Sequence, residues 1–115
     1  MMKLDQLREM ALAFPEVTEE PHFEKISFRV KKKIFATYDE RLKRVSVKLS
    51  EVDQSVFCSG DQTFIFPVVI KWGKQGWTLI EMEEVHQALF KYVLKAAYCT
   101  VAPQKLGDLV KPYNL

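Results

Sequence analysis

A chain of 115 residues suffices for one domain, which buries roughly 60–70% of its unfolded surface and needs neither metal nor disulfide to hold a core. Hydrophobic residues at 48% and charged residues at 28%, with only 4 Gly and 5 Pro, exclude a disordered, collagenous or low-complexity protein. The net charge of +2 is small but unevenly spread: residues 25–48 hold nine Lys and Arg against two acids, whereas the segments on either side are net acidic.

Lys3, Asp5, Arg8 and Glu9 leave no apolar core for a signal peptide near the N-terminus. The longest apolar run, Phe64 to Ile70, is broken by Pro67 and falls far short of the ~20 residues that span a bilayer. Cys58 and Cys99 form no C-x-x-C pair and read as reduced thiols. The expectation is a cytoplasmic monomer with no membrane contact.

Leu4, Leu7, Ala11 and Phe14 recur at helical spacing, which predicts a helix over 3–13 that Pro15 ends. Pro15 to Glu24, with Glu16, Glu19, Glu20, Glu24 and Pro21, has no apolar period and reads as an acidic connecting loop. The period then changes to two. Ile26, Phe28 and Val30, next Ile34, Ala36 and Tyr38, next Val45, Val47 and Leu49 alternate with neighbours that are polar or charged except for Phe35, predicting three antiparallel strands with one packed face. That pattern puts Lys25, Arg29, Lys33, Arg44 and Lys48 on the opposite face, with Phe35 and Thr37 among them. The first turn falls on Lys31 and Lys32, whereas two-residue hairpins favour Asn-Gly, so a longer or bulged turn is expected.

Ser50 ahead of Glu51 and Asp53 has the chemistry of a helix N-cap, and a short helix to about Phe57 follows. Cys58 to Asp61 reads as a turn and Gln62 to Phe66 as a strand. Val68 to Trp72 and Trp77 to Glu81 read as a hairpin around Gly73 and Gly76. A long helix is predicted from Met82, burying Val85, Ala88, Leu89, Tyr92, Val93, Ala96 and Cys99, with one more turn over Leu106 to Val110 and a frayed end at Pro112.

Catalytic chemistry finds little support. There is no G-x-S-x-G elbow, and no spacing pairs Cys58 or Cys99 with His22 or His86. Two Cys and two His scattered along the chain lack the clustered spacing of a zinc site. His22 among Glu19, Glu20 and Glu24 is the one place for a hard divalent cation, but a solubilising acidic loop explains it more simply. Neither catalytic residue, metal nor cofactor is expected. The remaining constellation is aromatic rings beside positive charge: Phe35 on the basic face, and Trp72 and Trp77 with Lys71 and Lys74. Rings of this kind stack bases while lysines track phosphates, although each tryptophan alone is more simply a half-buried strand residue.

The segment Phe14-Pro15-Glu16-Val17-Thr18-Glu19-Glu20-Pro21-His22-Phe23 is followed by Phe28-Arg29-Val30, Lys33-Ile34-Phe35-Ala36, Val45 to Leu49, Lys74 to Trp77 and Ala97-Tyr98. In order and spacing these resemble the MmcQ/YjbR family over nearly the whole chain. The resemblance implies a compact fold like the frataxin-like CyaY group, with a sheet backed by helices and two hairpin wings, and it implies DNA as the partner; it carries over no catalytic residue. The sequence departs from the family in having Lys31 and Lys32 where relatives often place a glycine before the lysine. It also has Lys71 where some relatives have a histidine.

The expected architecture is therefore α+β: an antiparallel sheet with helices packed on one face, in the order α-β-β-β-α-β-β-α, a CyaY-like, YjbR-like two-layer sandwich in one domain over 1–115. The expected function is non-enzymatic binding of DNA or another polyanion through Lys25, Arg29, Lys31, Lys32, Lys33, Arg44, Lys48, Lys74 and Trp77. The alternative is a protein or anionic small-ligand binding module, also without catalysis.

Overall fold

The computed structural model describes residues 2–60, 63–69 and 71–110. Its elements run α1 (Leu4–Leu12), β1 (Val17–His22), β2 (Lys25–Val30), β3 (Lys33–Asp39), β4 (Arg44–Lys48), α2 (Glu51–Cys58), β5 (Ile65–Pro67), α3 (Lys71–Lys74), β6 (Trp77–Glu81), α4 (Gln87–Val101) and α5 (Gln104–Val110). The six strands form one antiparallel sheet in the order β1-β2-β3-β4-β6-β5. The α+β class and the helix-backed sheet are as the sequence pattern implies, with more strands and helical turns than it predicts.

The acidic segment after α1 is not a loop. Residues 17–22 pair with β2 along their length, from Val17 opposite Val30 to His22 opposite Lys25. The strand is hard to read because its helix-side positions are Val17, Glu19 and Pro21 rather than three apolar residues. Glu19 is tolerated there because Arg8 of α1 binds it through Nε and Nη2, at 3.0–3.1 Å. Pro21 is tolerated because β1 is an edge, where a missing N–H interrupts no second ladder.

Between β2 and β3 the turn is the tightest available. Val30 pairs with Lys33, and the two central residues, Lys31 and Lys32, both have positive φ, 51° and 69°. This is the handedness of a type I′ hairpin, adopted here without Asn or Gly. The irregularity sits further along. Phe28 pairs with Ala36 and Arg29 with Ile34, leaving Phe35 as an extra residue in β3. Phe35 and Ala36 are consequently both fully buried on the helix side, while Ile34 joins Thr37 on the other face. The expected placement of Ile34 inside and Phe35 on the basic face is thus reversed. Lys33, sharing a face with Val30, also leaves the outer set.

One layer of helices covers the inner face. Leu7 and Ala11 of α1 and Phe90, Val93, Leu94, Ala97 and Tyr98 of α4 are buried against Phe28, Val30, Val45, Val47 and Ile80. The α4 helix begins at Gln87 rather than Met82, because Met82 N–H donates to Lys43 O at 3.0 Å and Met82 O accepts from Met2 N–H at 2.9 Å, which ties that residue to a turn. Its buried stripe runs through Phe90, Leu94 and Tyr98. Tyr92, expected inside, is 56% exposed. The Tyr98 ring stacks on Phe14 at 4.8 Å, meets Phe35 edge-on at 5.5 Å, and its hydroxyl donates to Pro15 O at 2.7 Å.

The Ser50 cap is as the sequence implies: its hydroxyl accepts from Asp53 N–H at 3.1 Å. In the second hairpin the arms are β5 and β6, and the segment read as Val68 to Trp72 is a bend followed by the helical turn α3. Asp61, Gln62, Ile70 and Pro112, which entered the sequence reading of turn, strands and chain end, lie outside the described residues. No helix among the described residues is long and apolar enough to cross a membrane.

Replacing Phe35 discriminates the two registers. With the bulge, Phe35→Ala opens the core and costs about 3–5 kcal/mol in chemical denaturation, while Ile34→Ala, half-exposed on the far face, costs roughly 1 kcal/mol. The uninterrupted alternation reverses that order.

Candidate functional site

The face away from the helices is assembled by register. Across it run Ser27, Thr37, Ser46, Leu79 and Phe66, each paired with the next. Small hydroxyl residues on the three middle strands, between larger side chains at the flanks, leave a trough of about 300 Å³. Its floor is Ile34, Thr37 and Ser46, one end is His22 and Lys25, and the other is Val68, Trp72 and Trp77. Strands β1 and β6 stand four spacings apart, about 19 Å in a flat sheet, so the trough crosses the strands rather than following one.

The hydroxyls of this cross-strand row differ in their commitments. Ser27, fully buried, donates to Glu20 O at 2.8 Å and accepts from Arg29 Nε at 2.9 Å. The hydroxyls of Thr37 and Ser46 make no side-chain hydrogen bond among the described residues, and both line the open trough.

Two close backbone approaches build the tryptophan end. A Cβ on Gly73 would lie 1.9 Å from Val68 O, and one on Gly76, whose φ is 101°, would lie 1.9 Å from Leu49 O. Only glycine lets α3 fold back on β5 and the chain enter β6 this closely. The Gln54 amide of α2 then joins the parts, donating to Gly73 O at 2.9 Å, Trp77 O at 3.2 Å and Thr78 Oγ1 at 3.1 Å. Trp72 is 52% exposed and Trp77 half-buried. Each has a lysine over its ring: Lys71 Nζ is 5.6 Å from the Trp72 centroid and Lys48 Nζ is 5.8 Å from that of Trp77. At the other end His22 meets Phe23 edge-on at 4.8 Å; Phe23 occupies the β1–β2 turn at φ 59° and is 93% exposed.

The cations expected to form one patch are divided. Lys25, Arg29, Arg44 and Lys48 do share the outer face with Trp77, but Glu20, Asp39 and Glu81 share it too. Arg44 is bound to Glu81 at 3.0 Å, and this hydrogen bond raises its pKa above the usual arginine value; its guanidinium also lies 5.8 Å over Phe66. Arg29 is held by Ser27 and by Pro21 O at 3.3 Å. Lys31, Lys32 and Lys33 project at the β2–β3 end, where Lys31 pairs with Glu16 at 2.7 Å. Lys74 lies in a separate cleft beside Glu51 and Gln54 of α2. Sequence reasoning singled out Trp72, Trp77 and Lys71 but not His22, Ile34 or Gln54 as parts of one site. The signal for His22 was the two-residue alternation Thr18, Glu20, His22.

The acidic segment does not gather around one point: β1 sends Glu19 to Arg8 on the helix side and Glu20 and His22 to the other face. Among the described residues no group of three or more His, Cys, Asp or Glu side chains could hold a metal ion. Cys58 and Cys99 carry free thiols, and burial raises the Cys58 pKa, which disfavours the thiolate.

The Gln54 links yield a direct test. Gln54→Ala leaves three acceptors without their shared donor, so we expect a loss of about 1–2 kcal/mol in stability, together with a red shift of tryptophan emission as the Trp72–Trp77 wall loosens. Gln54→Glu, which keeps the shape but turns a donor into an acceptor, is expected to cost at least as much.

Among solved structures the chain is similar to the crystal structure of Deinococcus radiodurans protein DR2400, which contains the domain DUF419. The two are 21% identical, with a TM-score of 0.77 over 100% of this chain and 93% of that one, a likeness of fold. No curated protein matches the chain. The family model described as YjbR matches residues 12–100, most of the chain. On that match the chain belongs to the YjbR family.

Proposed function

We propose that the chain is a non-catalytic nucleic-acid-binding domain whose contact surface is the open sheet face. The observation that carries this reading is the conjunction on that face of Lys25, Arg29, Arg44 and Lys48 with the tryptophan-walled trough. Ammonium and guanidinium groups contact phosphates irrespective of sequence, and indole rings accept any base face. The hairpin-tip residues Lys31, Lys32 and Lys33 and the α3 residue Lys74 extend the field beyond the face and steer approach.

The trough also motivates a second reading. Its volume of about 300 Å³ equals the lower end of the range for small-molecule sites, so an anionic small ligand fits the same lining.

Anisotropy titration of a labelled 12-mer tests the proposal. With about four phosphates engaged, log affinity falls against log salt with a slope of roughly −2.8 on a single strand or −3.6 on a duplex. Lys25→Glu combined with Lys48→Glu weakens binding about tenfold or more, on the order of 1.4 kcal/mol. Lys105→Glu on α5 leaves it unchanged. A flat titration at low salt contradicts the proposal, and a free nucleotide binding as tightly as the 12-mer supports the small-ligand reading instead.

A further inference from the structure

We infer that the open face takes single-stranded rather than duplex nucleic acid, with an unpaired base stacked at the tryptophan end of the trough; this rests on the nucleic-acid reading above and specifies its ligand. The first argument is the charge on the face. Duplex affinity is dominated by phosphate neutralisation, which needs several unencumbered cations on one surface. Here Lys25, Arg29, Arg44 and Lys48 stand among Glu20, Asp39 and Glu81, with Arg44 bound to Glu81 and Arg29 folded onto Ser27 and Pro21 O. Of the three consecutive lysines at the β2–β3 turn, Lys31 is paired with Glu16 and Lys33 shares the inner face with Val30. So balanced a face gains little from phosphates alone.

Stacking supplies what the charge does not. Base–aromatic contact contributes about 1–3 kcal/mol per base, and it requires a base whose face is exposed, which a duplex does not offer. Trp72 and Trp77 line the trough at one end and His22 at the other, with the Thr37 and Ser46 hydroxyls on the floor between them as adaptable donors and acceptors. An open antiparallel sheet with stacking rings and polar floor positions is a surface that single strands can cross. Lys71, over the Trp72 indole, and Lys48, which lies over Trp77 and donates to Gln75 O, stand on either side of the tryptophan end, where phosphates flanking a stacked base would pass.

The experiment compares a 12-mer oligothymidylate, a 12-mer oligouridylate and a 12-base-pair duplex with the full chain at one low salt concentration, by anisotropy and by tryptophan emission. We expect both single strands to bind about tenfold more tightly than the duplex and to quench emission. Trp72→Ala, half-exposed and so compatible with an unchanged fold by circular dichroism, is expected to weaken single-strand binding by roughly 5- to 100-fold and to leave duplex binding unchanged. Duplex binding equal to or tighter than single-strand binding, or a Trp72→Ala variant that binds as the parent does, overturns this inference while leaving nucleic-acid binding standing. Absence of salt-dependent binding to all three probes overturns both.

Discussion

Where β2 passes Phe28 and Arg29, β3 carries one residue more than its partner, and Phe35 turns inward onto Phe14 and Tyr98, with ring centroids 6.3 and 5.5 Å away. Most of the molecule's organisation depends on that contact. It fixes Tyr98 of α4 over the sheet, and the Tyr98 hydroxyl in turn holds Pro15 at the entry to β1. By inverting the parity of β3 at one point, the bulge also places Ile34 beside Thr37 on the outer face, where an uninterrupted strand would present Phe35. The core and the trough are two consequences of the same extra residue.

The charge segregation so plain in the sequence is undone by folding. Residues 25–48 are strongly basic in order along the chain, but in the sheet their neighbours are β1 and β6, which bring Glu20 and Glu81 onto the same face. Glu16 reaches Lys31 from the strand's other end. Exposed pairs of this kind contribute little to stability, on the order of 0–1 kcal/mol each. Their larger effect is on the potential outside the sheet, which is weaker and more divided than a count over residues 25–48 implies. A surface of this kind depends on its rings and hydroxyls as much as on its cations.

Elements with a regular apolar period were legible. The α1 stripe, the alternation of β2 and β4 and the Ser50 cap all follow from local spacing and appear where spacing puts them. The β1 strand was not, because a charged residue occupies an inward position and its compensation, Arg8, lies 11 residues away on another element. The bulge was illegible for a different reason: both registers of Lys33 to Asp39 place apolar residues inside, and only packing against Phe14 and Tyr98 selects between them. In α4 the face read through Ala88 and Tyr92 is turned outward, and the neighbouring face through Phe90, Leu94 and Tyr98 is the one that packs on the sheet, a choice made by packing rather than by helical spacing. Of the site, the tryptophans and strand cations could be named from sequence. The trough that relates them could not, since it arises from pairing between β1 and β6 through three intervening strands.

The most direct measurement is a two-dimensional amide and indole NMR titration of the chain with an unlabelled oligonucleotide. The account predicts progressive, salt-sensitive shifts at the indole N–H signals of Trp72 and Trp77 and at the amides of Lys25, Thr37, Ser46 and Lys48, with the α4 and α5 amides unmoved. Shifts confined to Lys31, Lys32 and Lys33 at the hairpin tip, or none on the outer face, would contradict it.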